Sequence, residues 1–308
     1  MLEQLLSALA AYNEPLPPET QIVCKREEPM ARHTSFRIGG PVKLFAACPT
    51  VDALCTAIRL CSLSDVPYLV LGNGTNVLFS DDGYDGAVLT TSAMQSIVRD
   101  GSTLLCDAGV SLTAASKAAL SYGLTGLEFA HGIPGTCGGA VVMNAGAYDG
   151  ECAAVLAESA YLDTKTGETH TIPVSAHAFG YRQSVYKTHP SWIVLSVRWS
   201  LTEGDPDAIR VKIEDFRNRR MTKQPLEYPS AGSVFKRYPG YFTAKLIEEA
   251  GLKGYRIGDA EVSEKHAGFI VNRGSATAAD VRALIDHIIE TIYRKNGIRI
   301  EREVLYLP

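Results

Sequence analysis

Apolar residues recur at helical spacing through the first stretch of the chain (Leu2, Leu5, Leu6, Leu9), and Pro15, Pro17 and Pro18 then break the pattern. The polar segment Ala31–Pro41 ends in paired glycines ahead of the apolar run Val42–Ala47, which reads as a turn feeding a strand. Thr50 is placed to cap a helix over Val51–Leu60, and Pro67–Leu71 follows as a buried strand. Short strands are expected at Ala87–Leu89 and Thr103–Cys106, then a helix capped by Ser111 and closed at Gly123. Further on the pattern is short strands with turns, notably Ala160–Leu162 and Trp192–Val197. Helices are expected over Asp207–Arg220, Phe242–Ala250 and Thr277–Lys295, the last with a Thr277/Asp280 capping box and Gly297 at its end. The chain closes on Ile298–Tyr306, read as a strand whose alternation projects Arg299, Glu301 and Glu303 from one face. The whole is α+β patterning without the regular βαβ repeat of a doubly wound sheet.

Two glycine-rich stretches interrupt this pattern. Leu71-Gly-Asn-Gly-Thr-Asn76 follows a strand directly, and Gly132-Ile-Pro-Gly-Thr-Cys-Gly-Gly-Ala140 runs on through Asn144 to Tyr148. Backbone of this kind comes close to whatever it faces, and its N–H groups form anion-binding concavities that need no lysine. Neither stretch has the Gly-Lys-Ser/Thr of a phosphate-binding loop, and Val77 stands where a dinucleotide fingerprint needs its last glycine. What remains is two glycine-rich turns, each by itself readable as a surface loop, that together are consistent with a large extended cofactor held by backbone from both sides.

Composition narrows the classes. The formal net charge of -4 argues against non-specific nucleic-acid binding, and no run approaches the roughly 18 apolar residues of a membrane span. The start lacks the basic segment and apolar run of a secretory signal, so a cytoplasmic protein is expected. The 7 cysteines are odd in number and include no Cys-x-x-Cys pair, which reads as reduced thiols without a disulfide framework or zinc site. Cys137 lies inside the second glycine stretch with no base partner in the sequence to activate it.

Against the acidic total, residues 209–237 carry Arg210, Lys212, Arg217, Arg219, Arg220, Lys223, Lys236 and Arg237 opposite only Glu214, Asp215 and Glu227. Such a run is either a solvated helix face or an anion site, and the turn Tyr228–Lys236 favours the site by presenting Ser230 and Ser233 beside glycine and a lysine. Arg182, in a polar cluster between apolar strands, is by default an ion-pair partner, although its fork also suits a substrate carboxylate. Glu303 is by default a surface carboxylate.

Together these segments closely resemble the MurB family of UDP-N-acetylenolpyruvoylglucosamine reductases of bacterial cell-wall synthesis. The resemblance is carried by Thr34-Ser-Phe-Arg-Ile-Gly-Gly40, Leu71–Asn76, Gly132–Gly135 through Gly146-Ala-Tyr148, Tyr181-Arg182, Pro229-Ser-Ala-Gly-Ser-Val-Phe-Lys236 and Glu301-Arg-Glu-Val304. These span nearly the whole chain in the family's order, and the chain looks like the shorter, type II form. The resemblance implies an FAD-binding domain of the PCMH (vanillyl-alcohol-oxidase-like) type over residues 31–202, behind a lead-in of residues 1–30, and a C-terminal α+β substrate-binding domain over residues 203–308 whose last strand returns to the active site. It implies non-covalent FAD with NADPH as hydride donor, and UDP-N-acetylenolpyruvoylglucosamine as substrate, with no nucleic-acid, membrane or obligate protein partner.

Carried over residue by residue, Ser233 matches the family's proton donor, Arg182 its essential arginine and Glu303 its essential glutamate. The flavin is expected on Leu71, Gly72, Asn73, Gly74, Thr75 and Asn76, and on Gly132, Ile133, Pro134, Gly135, Thr136, Gly138, Gly139 and Ala140, continuing through Asn144, Ala145, Gly146, Ala147 and Tyr148. The UDP group is expected on Arg219, Lys223, Tyr228, Lys236 and Arg237. Two other readings stand beside this one: an oxidase of small alcohols or hydroxy acids on the same fold, and a flavin or nucleotide carrier without chemistry.

Overall fold

In the computed structural model, which describes residues 1–307, the apolar stripe at the start of the chain becomes α1 (Leu2–Asn13). Its buried Leu5 and Leu9 pack with Ala53, Leu54, Ala57 and Ile58 of α2 (Val51–Leu63). Thr50 caps α2 by accepting the Ala53 amide at 3.1 Å. The strand Tyr68–Leu71 runs parallel to Tyr84–Thr90, and Tyr68 and Val70, opposite Ala87 and Leu89, close the same apolar cluster. Burying a large apolar side chain here stabilises by roughly 1.5–3 kcal/mol.

A second core lies on a five-stranded antiparallel sheet. Trp192–Ser200 is its central strand, flanked by Leu156–Asp163 and Thr103–Asp107, with Glu168–Pro173 and Ile97–Asp100 at the edges. Helix α3 (Leu112–Ser121), capped by Ser111, and α4 (Cys137–Met143) add Leu112, Ala115, Cys137 and Val141 to this core. The short α5 (Val185–Thr188) adds Tyr186, and α6 (Pro206–Lys223) adds Phe216. A helix at α4 is not expected from two adjacent glycines, which are poor helix formers. Tertiary packing overrides that preference: a Cβ on Gly138 would stand 2.9 Å from the Ala108 Cβ, so glycine there lets the helix lie close against its neighbour.

By compactness the chain divides into two units, the first made of Met1–Lys25, Leu44–Asn73 and Gly86–Arg219, the second of Arg26–Lys43, Gly74–Asp85 and Arg220–Pro308. This differs from the division at residue 203 and from a separate lead-in over 1–30. The residues after Leu201 are tied to the first unit: Thr202 and Glu203 pair with Thr125 and Leu124, and the Gly204 amide bonds the Gly123 carbonyl at 2.9 Å. Helix α6 then buries Ile209, Ile213 and Phe216. The composition shift at 202–206 therefore falls within the first compact unit.

The second unit holds a four-stranded antiparallel sheet in the order Ser230–Ser233, Phe269–Asn272, Ala260–Val262, Arg256–Ile257. Helices α7 (Thr243–Glu249) and α8 (Ala278–Asn296) share its core, α8 through Val281, Leu284, Ile285, Ile288 and Ile292. Both bonds of the Thr277/Asp280 capping box form, Gly297 ends α8 in the left-handed region, and the Asp81 carboxylate accepts the Ala278 and Ala279 amides at 2.7 and 3.0 Å. The closing segment is a strand only over Leu305–Leu307, parallel to Val77–Phe79. Before it Ile298, Ile300 and Val304 are buried while Arg299 and Glu301 are exposed, but adjacent Glu301 and Arg302 are both exposed and the alternation breaks there. Among the described residues no helix is long and apolar enough to cross a membrane.

Candidate active site

In the first unit the two glycine stretches meet. The Asn73 side-chain amide donates to the Pro134 carbonyl at 3.1 Å, and a Cβ on Gly72 would stand 2.5 Å from the Thr136 hydroxyl oxygen. That hydroxyl is occupied, since Thr136 caps α4 by accepting the Gly139 amide at 3.3 Å. Among the described residues the amides of Gly72, Asn73, Gly135 and Thr136 find no protein acceptor. Backbone donors on two adjoining glycine-bearing segments suit an anionic pyrophosphate.

Other amides of the second glycine stretch are bonded within the protein. The amides of Cys137 and Gly138 bond Val110 and Ala108 carbonyls at 2.8 and 2.9 Å, that of Ala140 the Thr136 carbonyl, and that of Ile133 the Ala130 carbonyl. Gly132 donates to the Thr113 hydroxyl. Gly146 and Ala147 pair with Glu151 and Gly150 in a hairpin. Tyr148 and Asp149 turn that hairpin at φ 52° and 64°, as its right-handed twist requires, and the Tyr148 ring stacks on Phe216 at 4.7 Å. Asn144 caps α4 in the left-handed region and is 1% exposed, its side chain bonded to the Gly180 carbonyl and the Ala153 amide.

Arg182 lies at the tip of a tight turn in the same unit. Gly180 and Gln183 exchange backbone hydrogen bonds of 3.1 Å, and Arg182 between them adopts φ 54°. Its guanidinium stands 5.0 Å over the Tyr181 ring, and Lys187 donates to its carbonyl at 2.9 Å. Next to the turn is a buried polar network: the Ser159 hydroxyl bonds His177 Nε2 at 2.7 Å and the Tyr186 hydroxyl at 2.6 Å, while His177 Nδ1 meets the Pro173 carbonyl. Burial holds the His177 pKa below its usual value.

Ser233 and Glu303 belong to the second unit, and the backbone brings them together. Ser230–Ser233, expected as a turn, is a bulged edge strand: Ser230 opposes Val271 and Ser233 opposes Phe269, with Gly232 at φ 75° between them. Ser233 is exposed, and among the described residues its hydroxyl bonds no protein group. The Glu303 amide bonds the Val234 carbonyl at 2.6 Å, and the Asn76 side chain reaches the Glu303 carbonyl at 3.4 Å. In the same unit a Cβ on Gly74 would stand 2.3 Å from the His33 carbonyl oxygen.

With this geometry in view, comparison with known proteins is decisive. A family model for the C-terminal domain of UDP-N-acetylenolpyruvoylglucosamine reductase matches residues 224–307, and one for an FAD binding domain matches residues 42–172. The UDP-N-acetylenolpyruvoylglucosamine reductase of Exiguobacterium sibiricum is 45% identical over 304 residues, covering 99% of this chain and 97% of that protein. That of Caldanaerobacter subterraneus is 46% identical over 280 residues, covering 90% and 91%. The crystal structure of the Thermus caldophilus reductase (MurB) is similar at a TM-score of 0.80 and 34% identity, covering 93% of this chain and 100% of that one. The chain belongs to the UDP-N-acetylenolpyruvoylglucosamine reductase family. It is an FAD-dependent oxidoreductase with an α+β fold of the FAD-binding type and the family's C-terminal domain. Family membership decides against the oxidase and the carrier.

For a UDP-N-acetylenolpyruvoylglucosamine reductase the basic run is less free than its sequence count suggests. Arg210 pairs with Asp207, Lys212 with Glu128, Arg219 with Asp215 and Lys236 with Glu301, so carboxylates outside residues 209–237 offset much of the local excess. The Lys236 ammonium, 2.8 Å away, holds the Glu301 carboxyl below its usual pKa. Arg219 stands in the first unit, whereas Lys223, Tyr228, Lys236 and Arg237 are in the second. One face of Tyr228 is taken by Arg273, 4.1 Å from the ring centroid, a cation that sequence reasoning missed because it lies outside the run. Cys137 is fully buried, and burial beside Cys106 raises its pKa well above the usual thiol value.

Proposed function

We propose that this chain reduces UDP-N-acetylenolpyruvoylglucosamine to UDP-N-acetylmuramate, with Arg182, Ser233 and Glu303 acting on the enolpyruvyl group. The fit to FAD rests on the amides of Gly72, Asn73, Gly135 and Thr136, which no carbonyl among the described residues occupies and which would hold the pyrophosphate. Bound there without a covalent link, FAD would supply the hydride, drawn from NADPH, that reaches the methylene carbon of the enolpyruvyl ether.

Negative charge then develops on the neighbouring carbon and its carboxylate. Arg182 meets that charge with a permanent positive one, and a single well-placed donor lowers such a barrier by about 3 kcal/mol. Ser233 delivers the proton that completes the saturated ether. The observation carrying this reading is the 2.6 Å bond from the Glu303 amide to the Val234 carbonyl. It joins residues far apart in sequence, so one piece of backbone carries both the exposed Ser233 hydroxyl and the Glu303 carboxyl. Lys223, Tyr228, Lys236 and Arg237, with Arg219, are the candidates for the UDP group, although a diphosphate must compete with Glu301 for Lys236. Because substrate and reductant are both charged nucleotides, the reading places the enzyme in the cytoplasm.

Stopped-flow flavin absorbance tests the assignment by separating the half-reactions. Ser233→Ala is expected to leave flavin reduction by NADPH intact and to slow reoxidation by the UDP-sugar by roughly 10²–10⁴-fold. Equal slowing of both halves defeats the proton-donor role.

A further inference from the structure

Helix α4 is engaged at both ends. Its cap residue Thr136 fills the space that the missing side chain of Gly72 leaves, at the flavin turn. At the other end, Asn144 Nδ2 donates to the Gly180 carbonyl at 3.1 Å and Oδ1 accepts the Ala153 amide at 3.0 Å. The Val142 carbonyl, in the last turn of the helix, accepts the Ser184 hydroxyl at 2.7 Å, and Ser184 is fully buried. Gly180 and Ser184 flank the tip of the Arg182 turn, so the chain on both sides of it is held to the end of α4.

The residue types fit this arrangement. A helix that ends in the left-handed region takes glycine or asparagine. Glycine would meet the φ of 43° at position 144, but only asparagine adds the bonds to Gly180 and Ala153. Arg182 itself holds φ 54°, a conformation that a side chain other than glycine keeps only when its surroundings over-determine it. The Asn144 and Ser184 bonds, the Lys187 bond to the Arg182 carbonyl, and the 2.7 Å bond from the Val185 amide to the His177 carbonyl supply that determination.

We infer that Asn144, together with Ser184, is a positioning residue for Arg182, fixing the guanidinium turn to the helix whose opposite end meets the flavin turn. In this role the Asn144 side chain holds the turn and not the cofactor. Seven residues of α-helix span about 10 Å, short enough to act as a stiff spacer between cradle and guanidinium. This rests on the reading of Arg182 as the group that meets the substrate carboxylate.

The test uses the FAD-loaded full chain. Asn144→Gly keeps the backbone conformation and removes both side-chain bonds, whereas Asn144→Asp keeps the acceptor for Ala153 and loses the donor to Gly180. Both half-reactions are timed for these variants, alone and in an Arg182→Ala background. Asn144→Gly is expected to leave flavin reduction by NADPH unchanged and to slow transfer to the UDP-sugar by about 10–100-fold, the penalty of a misplaced group. Asn144→Asp is expected to behave like Asn144→Gly, and neither should slow Arg182→Ala any further. Ser184→Ala, expected to show the same split, serves if the Asn144 variants do not fold. Multiplying defects in the double variant, or equal slowing of both half-reactions, overturns the inference. An Arg182→Ala enzyme that transfers hydride normally overturns the Arg182 reading and this inference with it; a slow Arg182→Ala beside a fully active Asn144→Gly overturns the inference alone.

Discussion

Gly72→Ala tests whether the two glycine stretches are fitted to each other. A Cβ at that position would lie 2.5 Å from the Thr136 hydroxyl oxygen, 3.2 Å from its Cγ2 and 3.4 Å from its Cβ. No left-handed φ is involved at Gly72, so the cost comes from crowding and not from backbone strain. Thr136 is 2% exposed and has little room to yield, and rotating its hydroxyl away breaks the bond to the Gly139 amide that caps α4. Overpacking of this kind costs about 1–3 kcal/mol and a lost cap about 1 kcal/mol, so Gly72→Ala should destabilise the first unit by about 2–4 kcal/mol. Thr136→Ala alone should lose only the cap, about 1 kcal/mol. In the double variant the new methyl meets only the Cβ at 3.4 Å, an ordinary contact, and the loss should return to that of Thr136→Ala. Urea unfolding of the four proteins, followed by far-UV circular dichroism with flavin fluorescence as a second probe, measures a coupling of roughly 2–4 kcal/mol. Additive losses would refute the reasoning, as would a Gly72→Ala protein as stable as the parent.

Burial lowers the pKa of His177 and of His266, so below about pH 6.5 the unfolded chain binds protons that the folded chain excludes. Their contribution to stability is whole above that pH and is lost as the pH falls below it. The urea midpoint should be lower at pH 5.5 than at pH 7.5, and His177→Gln should remove part of the difference; equal midpoints in the parent would contradict this. Burial also pushes the Cys152 thiol up to about 12 and the Cys137 thiol well above its usual value; the Cys24 thiol is raised too, but that residue is exposed to reagent. Peptide mapping after brief treatment of the folded protein with a charged alkylating reagent should find Cys24 modified and Cys137 and Cys152 intact, the latter pair reacting only in urea.

Local signals in the sequence were legible where a short-range rule decides the outcome. Thr50, Ser111 and Thr277 all cap helices as their positions suggest, and Gly297 ends α8. Helix α4 was not legible, because what stabilises it is contact with Ala108 and Val110, residues distant in sequence. The strand Val23–Pro29 is illegible for a related reason: most of its side chains are exposed, and its centre is the charged run Lys25–Glu28, so no apolar alternation marks it. At the site, Ser233 and Glu303 emerged from family resemblance, and the structure adds the backbone bond that joins them. The division of labour within the second glycine stretch was hidden, because a glycine that admits a neighbouring helix and one that admits a ligand look alike in one dimension.

The threading of the second unit bears on how the polypeptide can acquire its shape during synthesis. Residues 26–43 and 74–85 leave the ribosome early, yet the strand Val77–Phe79 finds its parallel partner only at Leu305–Leu307. That strand must wait for this partner while more than two hundred further residues are translated. A gene fragment beginning at residue 220 would lack Phe36, Ile38 and Leu78 from its apolar interior, so cutting the coding sequence there would not yield a self-sufficient substrate module.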